Sequence, residues 1–82
     1  MFTIIEEQIS VGVVFASGKI TPKFFVWRDK RYSVEKITFL WNSKAGSAEV
    51  YHFAVISDES VYELSYNLKT SCWRLDKIHE QW

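Results

Sequence analysis

The sequence predicts an all-β protein, a single small domain in which an antiparallel meander of about six strands forms a curled sheet or a partly open barrel. Three observations support this prediction. Between Ile9 and Ile78, apolar and polar side chains alternate with a two-residue period in short segments, which is typical of half-buried strands. Aromatic residues make up 17% of the chain and fall on many alternating positions, where cross-strand ring pairs stabilise a sheet. Turn-forming clusters separate the segments.

Length and composition set the size of the core. A chain of 82 residues, 48% of them hydrophobic, has room for one domain over residues 1–82 and one core, and it lacks the composition of a disordered segment. A domain of this size has a free energy of unfolding on the order of 5 kcal/mol. Since the loss of one buried ring costs about 3–5 kcal/mol, a single core substitution is enough to unfold it.

The first long strand carries alternating apolar residues on one side, namely Ile9, Val11, Val13 and Phe15. Gly12 on the other side marks a bulge or a close crossing. The preceding segment Phe2–Gln8 is a weak helical candidate. Ala16–Lys19 is a turn signal, and Pro22 falls at the start of the next extended run, where it removes no central ladder bond.

The next two segments predict a hairpin, with Lys23–Arg28 pairing to the start of Arg31–Trp41 and Asp29 and Lys30 at the tip. Because this tip has no glycine, the pattern favours a type I variant over a primed turn. The alternation changes parity near Glu35–Lys36, and a β-bulge there would keep one face apolar. That face would hold Tyr32, Val34, Ile37, Phe39 and Trp41.

The second half of the chain predicts a loop at Asn42–Ser47 followed by three strands. Two of them, Tyr51–Val55 and Tyr62–Tyr66, alternate without interruption, and Trp73–Ile78 contains a parity change before Ile78. This change fits either a bulge or the start of a helical turn over Asp76–Trp82.

Charge and cysteine content limit the function classes. Ten basic and ten acidic residues cancel, so no overall field attracts the chain to nucleic acid or to an anionic membrane. Cys72 is the single cysteine, which excludes an internal disulfide framework and suits a reducing compartment. The acidic N-terminal segment is unlike a signal peptide, and no apolar run reaches the roughly 20 residues that span a bilayer. We therefore expect a cytoplasmic protein that does not associate with membranes.

Basic and aromatic residues concentrate in the predicted hairpin. Rings that stack on bases and cations that neutralise phosphates are what a single-strand nucleic-acid binder uses. The alternative is that the two rings are cross-strand core partners and the cations form a solvated hairpin tip. The candidate nucleic-acid-binding residues are Trp27, Arg28, Lys30, Arg31 and Tyr32, with Lys19 and Lys23 near them in sequence.

Other polar residues predict structural roles. Glu63 and Arg74 fall on strands predicted to be neighbours, where a cross-strand ion pair is expected, and a buried pair lining a ligand pocket is the alternative. His52 and His79 lack partners at metal-ligand spacing, and we expect structural or surface positions for both. The sequence predicts no catalytic residue, metal site or cofactor.

Several motifs resemble a family of small uncharacterised bacterial all-β domains. They are Phe25-Val26-Trp27-Arg28, Arg31-Tyr32-Ser33-Val34, Tyr62-Glu63-Leu64 and Trp73-Arg74-Leu75. Members of that family carry a Phe-x-Trp-Arg-x-x-Arg-Tyr-x-Val stretch, then Tyr-Glu-Leu and Trp-Arg-Leu, and the likeness covers about residues 22–78. Some relatives occur beside or attached to proteins of DNA repair. The resemblance thus implies the β fold and a nucleic-acid-associated accessory role.

The combined prediction is a non-catalytic binding module. One hypothesis is that the hairpin binds single-stranded nucleic acid. The other is a protein-interaction or self-association module that buries exposed aromatic residues against another chain. The sequence leaves a monomer and a homo-oligomer both open.

Overall fold

The computed structural model describes residues 1–80, which form seven strands in one antiparallel sheet that is not closed. In chain order the strands are β1 (Phe2–Ala16), β2 (Lys19–Trp27), β3 (Lys30–Ser33), β4 (Lys36–Ala45), β5 (Ala48–Ser57), β6 (Ser60–Asn67) and β7 (Cys72–Glu80). Their order in the sheet is β3-β2-β1-β7-β6-β5-β4, which leaves β3 and β4 at the edges. The all-β prediction is confirmed. Residues 1–80 contain no helix with the length and hydropathy to cross a membrane.

The sheet curls because its two edge strands are consecutive in the chain. Only Val34 and Glu35 separate β3 from β4. The Val34 N–H donates to the carbonyl of Lys23 on β2 at 2.9 Å, and the Glu35 N–H donates to that of Ile56 on β5 at 2.8 Å. A two-residue link can join opposite edges only if the sheet bends until those edges meet at this corner.

The core lies on the inner face of the curled sheet. Rings from strands that are not neighbours meet there: Phe25 of β2 and Tyr62 of β6 have centroids 5.2 Å apart. Phe25, Leu64 and Leu75 are fully buried. The buried cluster follows the predicted alternation on each strand and consists of Ile9, Phe25, Phe53, Val55, Tyr62, Leu64, Trp73 and Leu75.

β1 begins earlier than predicted. Phe2–Gln8 pairs with β7 instead of forming a helix, with a register shift between Ile4 and Glu7 and a positive φ of 55° at Glu6. The helical alternative is wrong because strand pairing overrides a weak local helical pattern.

Gly12 is confirmed as a close crossing and also adjoins a register shift. A Cβ built at Gly12 would lie 2.1 Å from Cε1 of Phe24, so only glycine leaves room for this ring. Pro22 pairs with Val13 at the same shift, inside β2 instead of at its start as predicted. It still removes no bond to β3, because β3 pairs with β2 only from Phe24 onward.

The predicted strand Arg31–Trp41 divides into β3 and β4, and the bulge lies between Ile37 and Phe39 instead of at Glu35–Lys36. Thr38 fills the bulge and donates its hydroxyl to the carbonyl of Ala54 at 3.0 Å. Ile37 thus stays on the inner face, opposite Val55. Phe39 and Trp41 turn to the outer face, because they lie opposite Ala54 and His52. The prediction of one shared face is wrong for these two rings.

Two predicted turns also differ from the structure. β4 continues to Ala45, which leaves only Gly46 and Ser47 in the turn before β5. The hairpin between β2 and β3 turns at Arg28 and Asp29, whose φ values are 52° and 64°. Two successive positive φ values are the signature of a primed type I′ turn. The predicted tip and turn type are therefore wrong, because matching the strand twist outweighs the missing glycine.

The parity change in β7 is a bulge. Leu64 pairs with Leu75 and Glu63 with Lys77, so Asp76 is the extra residue. The helical alternative is wrong for residues 76–80, since β7 runs to Glu80. Residues 81 and 82 of that predicted turn lie outside the described residues.

Candidate binding cleft

The open side of the sheet is a cleft of about 820 Å³ between β4 and the tip of the β1–β2 hairpin. This volume is within the range of about 300–1,000 Å³ that is common for ligand sites. Its wall is largely apolar, and the main contributors are Phe15, Ile20, Leu40, Tyr51, Phe53 and Leu68.

The apolar wall of the cleft continues the inner face that holds the core. Leu40 lies opposite Phe53, and Phe15 lies opposite Ile20, so these side chains share the inner parity. No neighbouring strand in residues 1–80 covers them. Leu40 keeps 60% of its surface exposed and Phe15 keeps 69%. The cleft is therefore a part of the core face that the chain leaves uncovered.

Two backbone edges border the cleft. β4 pairs only with β5 among the described strands, which leaves one side of its ten residues free. β2 pairs with β3 only over Phe24–Trp27, so its first half, Lys19–Pro22, also lacks a strand on that side within residues 1–80. Unpaired strand edges present rows of N–H and C=O groups to a new strand.

Three lysines lie around this edge. Lys36 and Lys44 are exposed near the two ends of β4, and Lys19 borders the cleft. Within residues 1–80, neither Lys36 nor Lys44 lies in salt-bridge distance of an acid. Glu49 opposes Lys44, yet its carboxylate accepts a hydrogen bond from Asn42 Nδ2 at 3.4 Å.

The structure places the predicted nucleic-acid residues differently from the stacking hypothesis. Trp27 faces the inner side, and its indole N–H donates to Glu7 Oε1 at 2.8 Å. Arg28 donates to Glu7 Oε2 at 2.7 Å and lies 4.6 Å from the centre of the Trp27 ring. The bond from Arg28, and then that from Trp27, lower the pKa of the Glu7 carboxyl, and the bond to Glu7 raises the pKa of Arg28. Trp27 is thus engaged within the chain.

Tyr32 is likewise a core partner. Its ring stacks on Phe25, with centroids 5.0 Å apart and planes inclined by 7°, and lies 5.3 Å from Tyr62. Lys30 covers Tyr32 at 5.0 Å from the ring centre and approaches Asp58 at 3.8 Å. The alternative role predicted for the two rings, as core partners, fits this geometry.

The remaining cations do not form one patch with the hairpin tip. Arg31 covers the ring of Phe24 at 3.9 Å, on the outer face, and Lys23 is exposed on β2. Lys19 begins β2 while Arg28 follows its end, a separation of roughly 25–30 Å along a strand. The seven candidates therefore divide between two faces and two ends of the sheet.

The predicted ion pair between Glu63 and Arg74 does not form. Glu63 bonds His79 Nε2 at 2.6 Å, and Arg74 bonds Asp76 at 3.2 Å. The bulge at Asp76 sets Lys77 opposite Glu63 and brings His79 to the same face, while Arg74 lies opposite Ser65. His52 and His79 both lie on the outer face.

One cluster on the outer face was not predicted. Ser43 Oγ lies 2.7 Å from His52 Nε2, and His52 Nδ1 lies 3.9 Å from Asp76 Oδ2. Serine hydrolases use this order of groups, but 3.9 Å is too long for a hydrogen bond. Trp41 also stacks on the His52 ring, with centroids 5.0 Å apart. The cluster links side chains of β4, β5 and β7. Strand pairing brings them together, and the sequence pattern does not show that pairing.

Comparison with known proteins adds no relative: a scan of protein-family models, a search of curated proteins and a search of solved structures each gave no match to this chain. The family resemblance described above stays a prediction.

Proposed function

We propose that the protein is a non-catalytic interaction module which binds an extended segment of another polypeptide along β4. The observation that carries the proposal is the position of β4: a ten-residue edge strand that borders an open apolar cleft. Strand addition to an exposed sheet edge is a common mode of peptide recognition, in which main-chain hydrogen bonds give affinity and side-chain pockets give specificity.

The cleft provides the side-chain part of such recognition. An added strand would point alternate side chains inward, toward the uncovered surfaces of Leu40 and Phe15. Each Å² of apolar surface removed from water contributes about 25 cal/mol. The other face of the added strand would lie beside Phe39, which is 63% exposed. Both faces of the edge thus offer apolar contacts.

The nucleic-acid hypothesis remains a prediction with less structural support. Its two stacking rings pack against the core, and Arg28 is held by Glu7. It predicts quenching of tryptophan fluorescence by single-stranded DNA or RNA that fades steeply with salt. A salt-sensitive, saturable quench that is lost in Arg31→Gln would favour it over strand addition.

Strand addition can be tested with the acetylated and amidated peptide Gln-Thr-Val-Thr-Val-Thr-Val-Thr-Gln, which reads the same in both directions. Binding is measured by anisotropy of a fluorescein-labelled copy. We expect saturable binding to the natural chain and a loss of at least about fivefold in affinity for Leu40→Ser, since an anchor contact is removed. The matched control is Val14→Ser, another exposed apolar residue on a strand, outside the cleft.

A second control separates strand pairing from simple uptake of apolar side chains. The same peptide with N-methyl groups on alternate residues cannot donate main-chain hydrogen bonds from one edge. Strand addition predicts that N-methylation of one of the two alternating sets abolishes binding. Equal binding of both N-methylated peptides, or equal losses in Leu40→Ser and Val14→Ser, would contradict the proposal.

A further inference from the structure

We infer that the partner segment is acidic at its ends: an extended peptide with an apolar centre whose carboxylates lie near Lys36 and Lys44 of β4. This inference rests on the proposed function and specifies the chemistry of the partner. β4 contains two lysines and no acidic residue. Opposite charges that lie close together across a strand pair stabilise the pairing.

The charges on β4 disfavour pairing of this edge with β4 of a second copy of the chain. A symmetric antiparallel pairing that uses the full length of β4 is centred near Leu40. It brings Lys36 of one copy close to Lys44 of the other at both ends. Like charges close together across a strand pair destabilise it, and lysines on an edge commonly prevent self-pairing. The same lysines favour a partner of opposite charge.

The charges around the β4 edge also favour an acidic partner over a basic one. Lys19 borders the cleft from the β2 side, and no acidic residue contributes to the cleft wall. Neither lysine of β4 is neutralised by an ion pair within residues 1–80. An acidic segment would therefore gain charge pairing without first breaking an existing salt bridge.

The test compares two peptides that share an apolar centre. One is Glu-Thr-Val-Thr-Val-Thr-Val-Thr-Glu, and in the other both glutamates are lysines. Affinities are measured by anisotropy at low and at physiological salt. We expect the acidic peptide to bind roughly tenfold more tightly at low salt, from two favourable pairs in one case and two repulsive pairs in the other. The difference should shrink as salt is added.

A charge-matched pair of variants locates the effect. Lys36→Gln/Lys44→Gln should bind the two peptides with nearly equal affinity. Lys23→Gln/Lys30→Gln removes the same charge away from β4 and should retain the preference. All four lysines are exposed, so neither variant is expected to unfold the domain.

Other outcomes separate the inference from the proposed function. If the acidic, basic and neutral peptides bind alike, the acidic partner is wrong while strand addition stands. If none of them binds, strand addition and the acidic partner are both wrong. If light scattering gives the mass of a dimer at micromolar concentration, and Leu40→Lys returns it to a monomer, a second copy occupies β4 and overturns the inference.

Discussion

The inner face of the curled sheet is covered at one end of the sheet and exposed at the other. At the corner where β3 meets β4, hydrogen bonds from Val34 and Glu35 join the two edges, and Phe25 lies fully buried among rings. At the other end β4 diverges from β2, and Phe15 and Leu40 stay more than half exposed. We call the first region the closed corner and the second the open cleft.

The difference shows that residue type alone does not decide burial in this sheet. Both regions carry large apolar side chains at inner-face positions, and only the closed corner has a strand across from them. At the closed corner the aromatic residues stabilise the fold. At the open cleft, similar residues contribute little to folding and remain free to bind another chain.

The largest expected contrast is between core and cleft truncations. Phe25→Ala should cost about 3–5 kcal/mol of unfolding free energy because it leaves a cavity, which approaches the whole stability of so small a domain. Leu40→Ala should change it by less than about 0.5 kcal/mol. Urea denaturation followed by circular dichroism measures both values.

Phe25→Leu provides a milder version if Phe25→Ala does not fold. A loss for Leu40→Ala as large as that for Phe25→Leu would mean that Leu40 is buried in solution and that the cleft is not open.

The second contrast concerns the crossing on the outer face of β1 and β2. Gly12→Ala should displace the Phe24 ring and its contact with Arg31, and overpacking of this kind costs about 1–3 kcal/mol. The cost should nearly vanish in a Phe24→Ser background, where the ring is absent. A double-mutant cycle of unfolding free energies measures this coupling. Equal costs in the two backgrounds would show that the Phe24 ring is not what requires glycine at this position.

The third contrast compares two tryptophans. Trp27→Phe removes the indole N–H that bonds Glu7 and should cost about 1 kcal/mol. In a Glu7→Gln background the loss should change, because the two residues share the bond. Trp41→Phe, beside the open cleft, keeps a ring over His52 and should cost less. Thermal unfolding of the four variants gives the values, and additive losses for Trp27 and Glu7 would argue against the bond.

The smallest contrast appears only at alkaline pH. Burial raises the pKa of Tyr62 above its usual value near 10. A raised folded-state pKa means that the neutral phenol is favoured in the fold. The stability that Tyr62 gains from its buried neutral phenol is therefore complete below pH 10 and is lost as pH rises through the folded pKa. Tyr62→Phe should lose less stability than the natural chain as pH rises above 10. Tyr51→Phe, in the cleft wall, should retain the alkaline loss, and equal curves for both variants would contradict the assignment.

The sequence predicted the fold class, the alternating core and the close crossing at Gly12, because these depend on local periodicity and on one small residue. It misplaced the bulge that turns Phe39 outward, since a bulge depends on strand partners that periodicity does not identify. The pairing of Glu63 with His79 was missed for the same reason, because the extra residue Asp76 shifts the register. The open cleft could not be predicted, because it depends on how far β4 diverges from β2.

The most direct test of the account is hydrogen exchange of backbone amides with and without the acidic peptide. We expect slower exchange in alternate amides of β4, with no change at the β2–β3 turn of Arg28 and Asp29. Unchanged exchange along β4 at saturating peptide, or protection confined to the β2–β3 hairpin, would contradict the claim that the open cleft is the binding site.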